Sequence, residues 1–188
     1  MKKLSILGTM LLAAALIFTG CKDPKDETNE FSDCSETVTA VELSEGTWTL
    51  KQTETAPAGK TDLVITATVD AKGNYTFTSL TQTIDGTIPA EYRAEWDAMS
   101  EDEKKAFAGE GAPEGAQITI NGYNVKMVAQ ITDASQLAMY KSMFDLDMLA
   151  DAVEDGSATI KTNSDKTKYV ITVTDEDGET STTYLNKN

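Results

Sequence analysis

The stretch that decides the fold is ITINGYNVKMVAQI, residues 118–131. Apolar and polar residues alternate on both sides of Asn121-Gly122, with the period of two that a half-buried β-strand requires. Asn-Gly is also the strongest short signal for the tight turn that joins two antiparallel strands. We therefore predict a β-hairpin in which Ile118 and Ile120 face the core from one strand. Its partner strand would alternate through Tyr123, Val125, Met127, Ala129 and Ile131.

The same alternation recurs on both sides of this hairpin, separated by short turn-forming sequences. It predicts strands that start at Gly46, run over 63–69, lead from Tyr75 toward Ile84, and cover 158–162, 169–173 and 180–185. About eight strands joined mostly by tight turns are typical of an antiparallel up-and-down barrel or a closed-off sandwich. The sequence therefore predicts one mainly β domain, for which we favour the barrel.

Two segments interrupt the strands with helical periodicity. The first lies near 89–108, where Ser100 and Glu103 form the sequence of a capping box. The second, near 133–155, starts with Asp133 as a candidate N-cap. It carries three methionines, Met139, Met143 and Met148, which are the kind of adaptable apolar side chain that suits a lid over an apolar pocket.

The amino terminus has the organisation of a signal peptide. Lys2 and Lys3 precede an uncharged apolar run over 4–18, and a cysteine follows at position 21. As a helix the run would be about 22 Å long at ~1.5 Å per residue, which is short of the ~30 Å hydrocarbon core of a bilayer. Residues 1–20 are therefore predicted to be a signal peptide and not a resident membrane helix.

The sequence Phe18-Thr19-Gly20-Cys21 resembles the lipobox of bacterial lipoproteins, although Phe18 stands where that family prefers leucine. The resemblance implies cleavage before Cys21, a diacylglycerol on its sulfur and usually acylation of the new amino terminus. Two or more acyl chains hold a protein stably at a membrane, whereas one gives marginal binding. The alternative is an ordinary secretory signal in which Cys21 has no special role.

The segment 21–43 is polar and acidic, which predicts a flexible lipidated tether ahead of a folded domain over 44–188. By analogy with other lipoproteins, Cys21-Lys22-Asp23 and the acidic cluster behind it favour the outer membrane, on its periplasmic face or at the cell surface. Loss of Lys2 and Lys3 takes the formal net charge from −15 to −17. A surface this acidic repels nucleic acid and anionic lipid headgroups. Membrane contact would therefore come through the lipid.

The residue types present exclude several kinds of active site. The chain has no histidine, so catalytic triads with histidine and histidine zinc sites are excluded. Only two cysteines exist, and lipidation of Cys21 would leave Cys34 without an internal partner. The polar, acidic surroundings of Cys34 should leave its thiol pKa unlowered, which argues against a reactive nucleophile. We expect no catalytic residue, no cofactor and no metal site, and therefore no enzyme.

The triplet Gly46-Thr47-Trp48 resembles the G-x-W motif of lipocalins and related calycins. In that family the tryptophan lies at the closed end of the barrel. The arginine that stacks on that tryptophan in the family is absent here, because the only arginine is Arg93 in a predicted helix. The resemblance implies a barrel whose interior holds a small hydrophobic ligand. The candidate ligand-binding residues are Trp48, Phe77, Tyr123, Met127, Met143 and Tyr169.

Alternation marks burial, and it does not distinguish a ligand pocket from a filled core. The sequence therefore leaves two functions open. One is a non-catalytic, lipid-anchored protein that binds a small hydrophobic ligand. The other is a surface lipoprotein that uses the barrel only as a scaffold for loops that contact a partner protein.

Overall fold

The computed structural model of the chain describes residues 30–56, 59–143, 146–174 and 180–188. The predicted signal peptide, residues 1–20, and the predicted lipidation site Cys21 lie outside the described residues. In the part that is described, no helix combines the length and the apolar character needed to cross a membrane.

One antiparallel sheet of nine strands forms the body of the protein. The strands are β1 (Glu36–Val38), β2 (Gly46–Ala56), β3 (Gly59–Val69), β4 (Tyr75–Thr87), β5 (Gln117–Asn121), β6 (Asn124–Ile131), β7 (Ala158–Thr162), β8 (Lys168–Thr174) and β9 (Thr180–Lys187). Their order across the sheet is β1-β7-β8-β9-β2-β3-β4-β6-β5. The prediction of a mainly β, antiparallel domain is confirmed.

Two parts of the finer prediction differ from the structure. The described residues form nine strands and not about eight, because β1 adds an edge strand beside β7 within the segment predicted to be a tether. Among the described residues the sheet is also not closed, since β6 and β7 pair with β5 and β1 and not with each other. The residues between β6 and β7 form helices, which leave the backbone groups of these two strands free for the edge strands.

The hairpin around Asn121 is present, and its two-residue loop is Gly122-Tyr123. Asn121 and Asn124 face each other across the ladder, and Gly122 has φ +60°. Glycine takes a positive φ without the steric cost that a Cβ brings, so Gly122 suits the first position of this loop. Tyr123 therefore belongs to the turn and not to the strand, which corrects its predicted place in the alternation.

Alternation gives the sheet one apolar face, which we define as the face that carries Trp48, Leu50 and Ile65. Cross-strand pairing places Leu50 opposite Ile65 and Leu185, and Trp48 opposite Ala67. The main hydrophobic cluster lies on this face and draws residues from β2, β3, β4, β6, β7, β8 and β9. Burying these side chains provides the largest favourable contribution to folding, at roughly 25 cal/mol per Å² of apolar surface.

Four α-helices interrupt the strands: α1 (Arg93–Asp97), α2 (Glu101–Ala108), α3 (Ala134–Met143) and α4 (Leu146–Glu154). The capping box is present, because Ser100 accepts from the Glu103 backbone N–H while the Glu103 carboxylate accepts from Ser100 N–H. The backbone N–H groups of Ser135 and Gln136 donate to the Asp133 carboxylate at 3.0 Å, which confirms Asp133 as the N-cap of α3. Leu137 of α3 and Leu149 of α4 pack on the main cluster.

A second, smaller cluster lies beside the β4–β6–β5 side of the sheet. Ile88, Trp96 and Val125 form its buried centre, and Phe107 of α2 packs against it. The Trp96 indole N–H donates to Gly122 O at 3.1 Å, which joins α1 to the hairpin loop. The first helical insertion therefore covers its own strands and not the main core.

The segment 30–43 is ordered against the sheet, in contrast to the flexible tether predicted over 21–43. Phe31 and Cys34 are buried against Tyr184, on the face opposite the apolar face. The Phe31 and Tyr184 rings are 5.0 Å apart, and β1 pairs with β7. Acidic composition predicted a solvated segment, but one phenylalanine and a short strand ladder are enough to dock it. Residues 30–43 therefore pack with the folded domain.

Candidate functional site

Five of the six residues proposed from the sequence have described side chains, and these five do not all lie in one cluster. Trp48, Phe77 and Tyr169 lie in the main cluster, with Trp48 only 2% exposed. Tyr123 packs on the second cluster, and Met127 is buried on β6 between the two. The side chain of Met143 lies outside the described residues.

The polar atoms of Trp48 and Tyr169 are already engaged within the chain. The Trp48 indole N–H donates to Ser44 O at 2.9 Å, and the Tyr169 hydroxyl donates to Glu42 O at 3.0 Å. The two rings lie 6.0 Å apart in a tilted arrangement. Because both polar groups hold the segment that leads into β2, these aromatic residues stabilise the domain and offer no free group to a ligand.

Tyr123 likewise makes contacts within its own cluster. Its hydroxyl donates to an Asp97 carboxylate oxygen at 2.9 Å, and the Arg93 guanidinium lies over its ring, 4.5 Å from the centroid. The hydrogen bond to Asp97 is the main cause that raises the pKa of the Tyr123 hydroxyl. These contacts fasten the turn to α1, on the other side of β4 from the main core.

A group of polar side chains lies on the apolar face, and sequence reasoning missed it. We define the glutamine patch as Gln52, Glu54, Thr61 and Gln82. Gln52 and Glu54 follow Trp48 and Leu50 on the same face of β2, and Thr61 lies opposite Glu54. Gln82 on β4 is separated from Gln52 only by Leu63 of β3. With strands ~4.8 Å apart, the two glutamines are roughly 10 Å from each other.

The side-chain amide of Gln82 is the least expected group in the patch. Gln82 is 5% exposed, and its amide has no hydrogen-bond partner among the described residues. No fully buried polar side-chain atom of the described chain lacks a partner, so this amide must reach accessible space from within the apolar face. Buried polar groups are normally hydrogen-bonded, because an unpaired one costs about 1–3 kcal/mol. An amide kept in this position is a candidate ligand contact.

The other members of the patch provide mainly acceptors. Gln52 is 3% exposed, and its amide N–H donates to the Glu54 carboxylate at 3.4 Å, which leaves the Gln52 amide oxygen free to accept. Partial burial raises the pKa of the Glu54 carboxyl above its ordinary value of 4.5. Thr61 is buried beside them and contributes a hydroxyl.

Two glycines lie at the end of the sheet next to the patch. Gly59 and Gly86 face each other there, two pairs beyond Thr61 and Ile84. Gly59 lies so close to β4 that an added Cβ would collide with Asp85 O, so this position requires glycine. Helix α3 covers the other end of β4, where Lys141 Nζ donates to Tyr75 O at 2.7 Å. The patch is thus at the end of the apolar face away from α3, beside the second cluster, whose Val125 lies opposite Gly86.

We predict that Glu54→Gln is more stable than the unmodified protein at neutral pH but not at acid pH. Because the folded-state pKa is raised, the native state holds this proton more tightly than the unfolded chain does. The stability that the bound proton contributes is present below the pKa of Glu54 in the unfolded chain. It is lost as the pH rises through the pKa of Glu54 in the folded protein. Urea unfolding at pH 4 and pH 7 should therefore show that Glu54→Gln gains stability over the unmodified protein only at pH 7.

Glu91 provides the control for this experiment, since it is an exposed glutamate whose substitution removes the same charge. Glu91→Gln should show a smaller gain at pH 7, arising only from reduced repulsion in an acidic protein. Equal gains for the two variants would contradict a desolvated Glu54.

Two further predictions concern a metal site and Cys34. In the described part of the chain, no group of three or more Cys, Asp or Glu side chains is placed to hold a metal ion. Cys34 is buried, and burial together with neighbouring Asp33 raises the pKa of its thiol. This confirms that Cys34 is not activated, although burial and not exposure to an acidic surface is the main cause.

Comparisons with known proteins add no relationship to these observations. No protein-family model matches the chain, and no curated protein or solved structure matches it either.

Proposed function

We propose that this chain is a non-catalytic lipoprotein of the bacterial envelope, anchored through lipid on Cys21, that binds a small, largely apolar ligand. The anchor rests on the sequence: a basic start, an uncharged run over 4–18 and the lipobox-like 18–21. The absence of histidine argues against the commonest catalytic sites. Together with the acidic tether, these features favour the outer membrane as the location.

The strand order supports a lipocalin-like architecture as part of this proposal. Read across the sheet, β7-β8-β9-β2-β3-β4-β6 is the cyclic order of an up-and-down barrel that is opened between β6 and β7. The segment between those strands forms α3 and α4, which contact β4 and β7 respectively. We infer that the two helices take the place of the missing strand pairing in a calycin-like fold.

The observation that carries the binding function is the unpartnered Gln82 amide. Ligand sites are mostly apolar and contain a few placed polar groups that orient the ligand. The glutamine patch has this composition, with Leu63, Ile84 and Met127 buried around it. The Gln82 amide is accessible to water, and a ligand placed on the patch would replace that water as its partner.

The alternative, a scaffold for a partner protein, has less support. Among the described residues Met139 is the one large hydrophobic residue that is exposed, at 71%. A single exposed methionine is normal for a soluble surface, and a docking surface requires a contiguous apolar patch of several hundred Å².

Native mass spectrometry of the mature protein, purified from its own membrane, tests the proposal. We expect an intact mass that starts at Cys21 and includes two or three acyl chains. We also expect a second, small component that dissociates on activation. A chain without acyl mass would contradict the anchor, and a chain with no dissociable component under any gentle condition would contradict ligand binding.

A further inference from the structure

The hydrogen-bonding groups of the glutamine patch indicate which chemical class of ligand it would bind. Four groups can accept hydrogen bonds, namely the Glu54 carboxylate, the amide oxygens of Gln52 and Gln82, and the Thr61 hydroxyl. The groups free to donate are the Gln82 amide N–H and the Thr61 hydroxyl, because the Gln52 amide N–H is directed to Glu54. The patch is therefore rich in acceptors and carries one negative charge.

The nearest lysines do not offset this charge. Lys51, Lys60 and Lys126 alternate with inward-facing residues and lie on the opposite face of their strands. Each pairs there with a carboxylate: Lys51 with Glu30 at 3.8 Å, Lys60 with Asp62 at 2.9 Å and Lys126 with Asp85 at 3.7 Å. An anionic head placed in the patch would meet the Glu54 carboxylate, while these three lysines face away from it.

We propose, building on the ligand-binding function above, that the patch selects amphipathic amines, with the ammonium group at Glu54, Gln52 and Gln82. The apolar body then lies on the side of Leu63, Ile84 and Met127. An ammonium group has three donors and no acceptor, so it matches the acceptors that Glu54 and Gln52 of β2 and Gln82 of β4 place on one face of the sheet. A carboxylate in a partly desolvated site also gains more from a cation than a water-exposed carboxylate does.

Three probes with the same apolar body isolate the contribution of the head group: phenylbutylamine, phenylbutanol and phenylbutanoate. Calorimetric titration uses the mature lipoprotein in phosphatidylcholine nanodiscs, with empty nanodiscs as the blank. We expect the amine to bind at least about tenfold more tightly than the alcohol, and the carboxylate to bind most weakly of the three.

Three variants separate the patch from the general attraction of an acidic protein for amines. Glu54→Gln should weaken amine binding about tenfold or more while leaving the alcohol nearly unchanged. Gln82→Leu, which has a similar shape, should weaken it about fivefold. Exposed Glu91→Gln removes the same charge as Glu54→Gln and should leave amine binding within about twofold.

The outcomes distinguish this inference from the function on which it rests. Binding of the alcohol or the carboxylate as tightly as the amine would overturn amine selectivity and leave a ligand-binding protein. Equal losses for Glu54→Gln and Glu91→Gln would overturn the location of the site. If no probe binds and native mass spectrometry finds no dissociable component, both the inference and the ligand-binding function fail.

Discussion

Replacing Cys21 by serine is expected to abolish lipid attachment and to move the protein from the membrane fraction to the soluble fraction. Each acyl CH₂ buried in the bilayer contributes about 0.8 kcal/mol, so the loss of two chains removes far more binding energy than any surface contact supplies. An acidic surface with a net charge of −17 after removal of residues 1–20 offers no compensating attraction to anionic lipids.

An uncleaved apolar run over 4–18 would itself hold the chain at the membrane, so the test requires a second design. Cys21→Ser is made once with residues 1–20 in place and once with those residues replaced by a cleavable secretory signal that has no lipobox. Intact mass should show no acyl chains in either case, and the second protein should fractionate as soluble.

Cys34→Ser is the matched control, because Cys34 is the only other cysteine and is buried against Phe31 and Tyr184. This variant should keep its acyl mass and remain in the membrane fraction. Persistent membrane association of the soluble design, or acyl mass on the Cys21→Ser chain, would refute the lipoprotein proposal.

The largest stability effect is expected for Trp48→Ala. Trp48 is 2% exposed, packs against Tyr169, and donates through its indole to Ser44 O. Truncating a buried tryptophan costs about 3–5 kcal/mol, from lost burial together with the cavity that remains. Since a domain is stable by only about 5–15 kcal/mol, this variant should unfold at much lower urea concentration.

Far-UV circular dichroism is the appropriate measurement, because the substitution removes one of the two tryptophans and would distort a fluorescence signal. Trp48→Phe should lose less than Trp48→Ala, since the phenyl ring fills part of the space. Thr68→Ala is the control, because Thr68 is exposed on β3 next to the position that pairs with Trp48. It should change the free energy of unfolding by no more than ~0.5 kcal/mol. Equal effects of Trp48→Ala and Thr68→Ala would contradict the placement of Trp48 in the core.

Local sequence signals were reliable wherever the interaction that forms the element is itself local. The turn around Gly122, the capping box at Ser100 and the N-cap at Asp133 all depend on groups a few residues apart, and all three are present. Strand alternation likewise identified the apolar residues of β2 to β4, because the period of two follows from backbone geometry.

The glutamine patch was not predicted, although its signal is visible in retrospect. Gln52 and Gln82 occupy inward positions of alternating strands, after Leu50 and Leu80 respectively. Taken singly, each is a polar residue that interrupts an apolar pattern. Their significance comes from pairing: Leu63 lies between them only because β3 pairs with both β2 and β4 in this register.

By itself, the sequence determined the β class of the domain, its turns and helix starts, and a predicted lipid anchor at Cys21, because each depends on residues adjacent in the chain. Only the tertiary structure decided that Phe31 docks on Tyr184, that β6 and β7 do not pair with each other, and that four polar side chains from three strands share one face. The physical reason is that strand register and burial join residues from different strands, and no local pattern records which of those pairings has the lowest free energy.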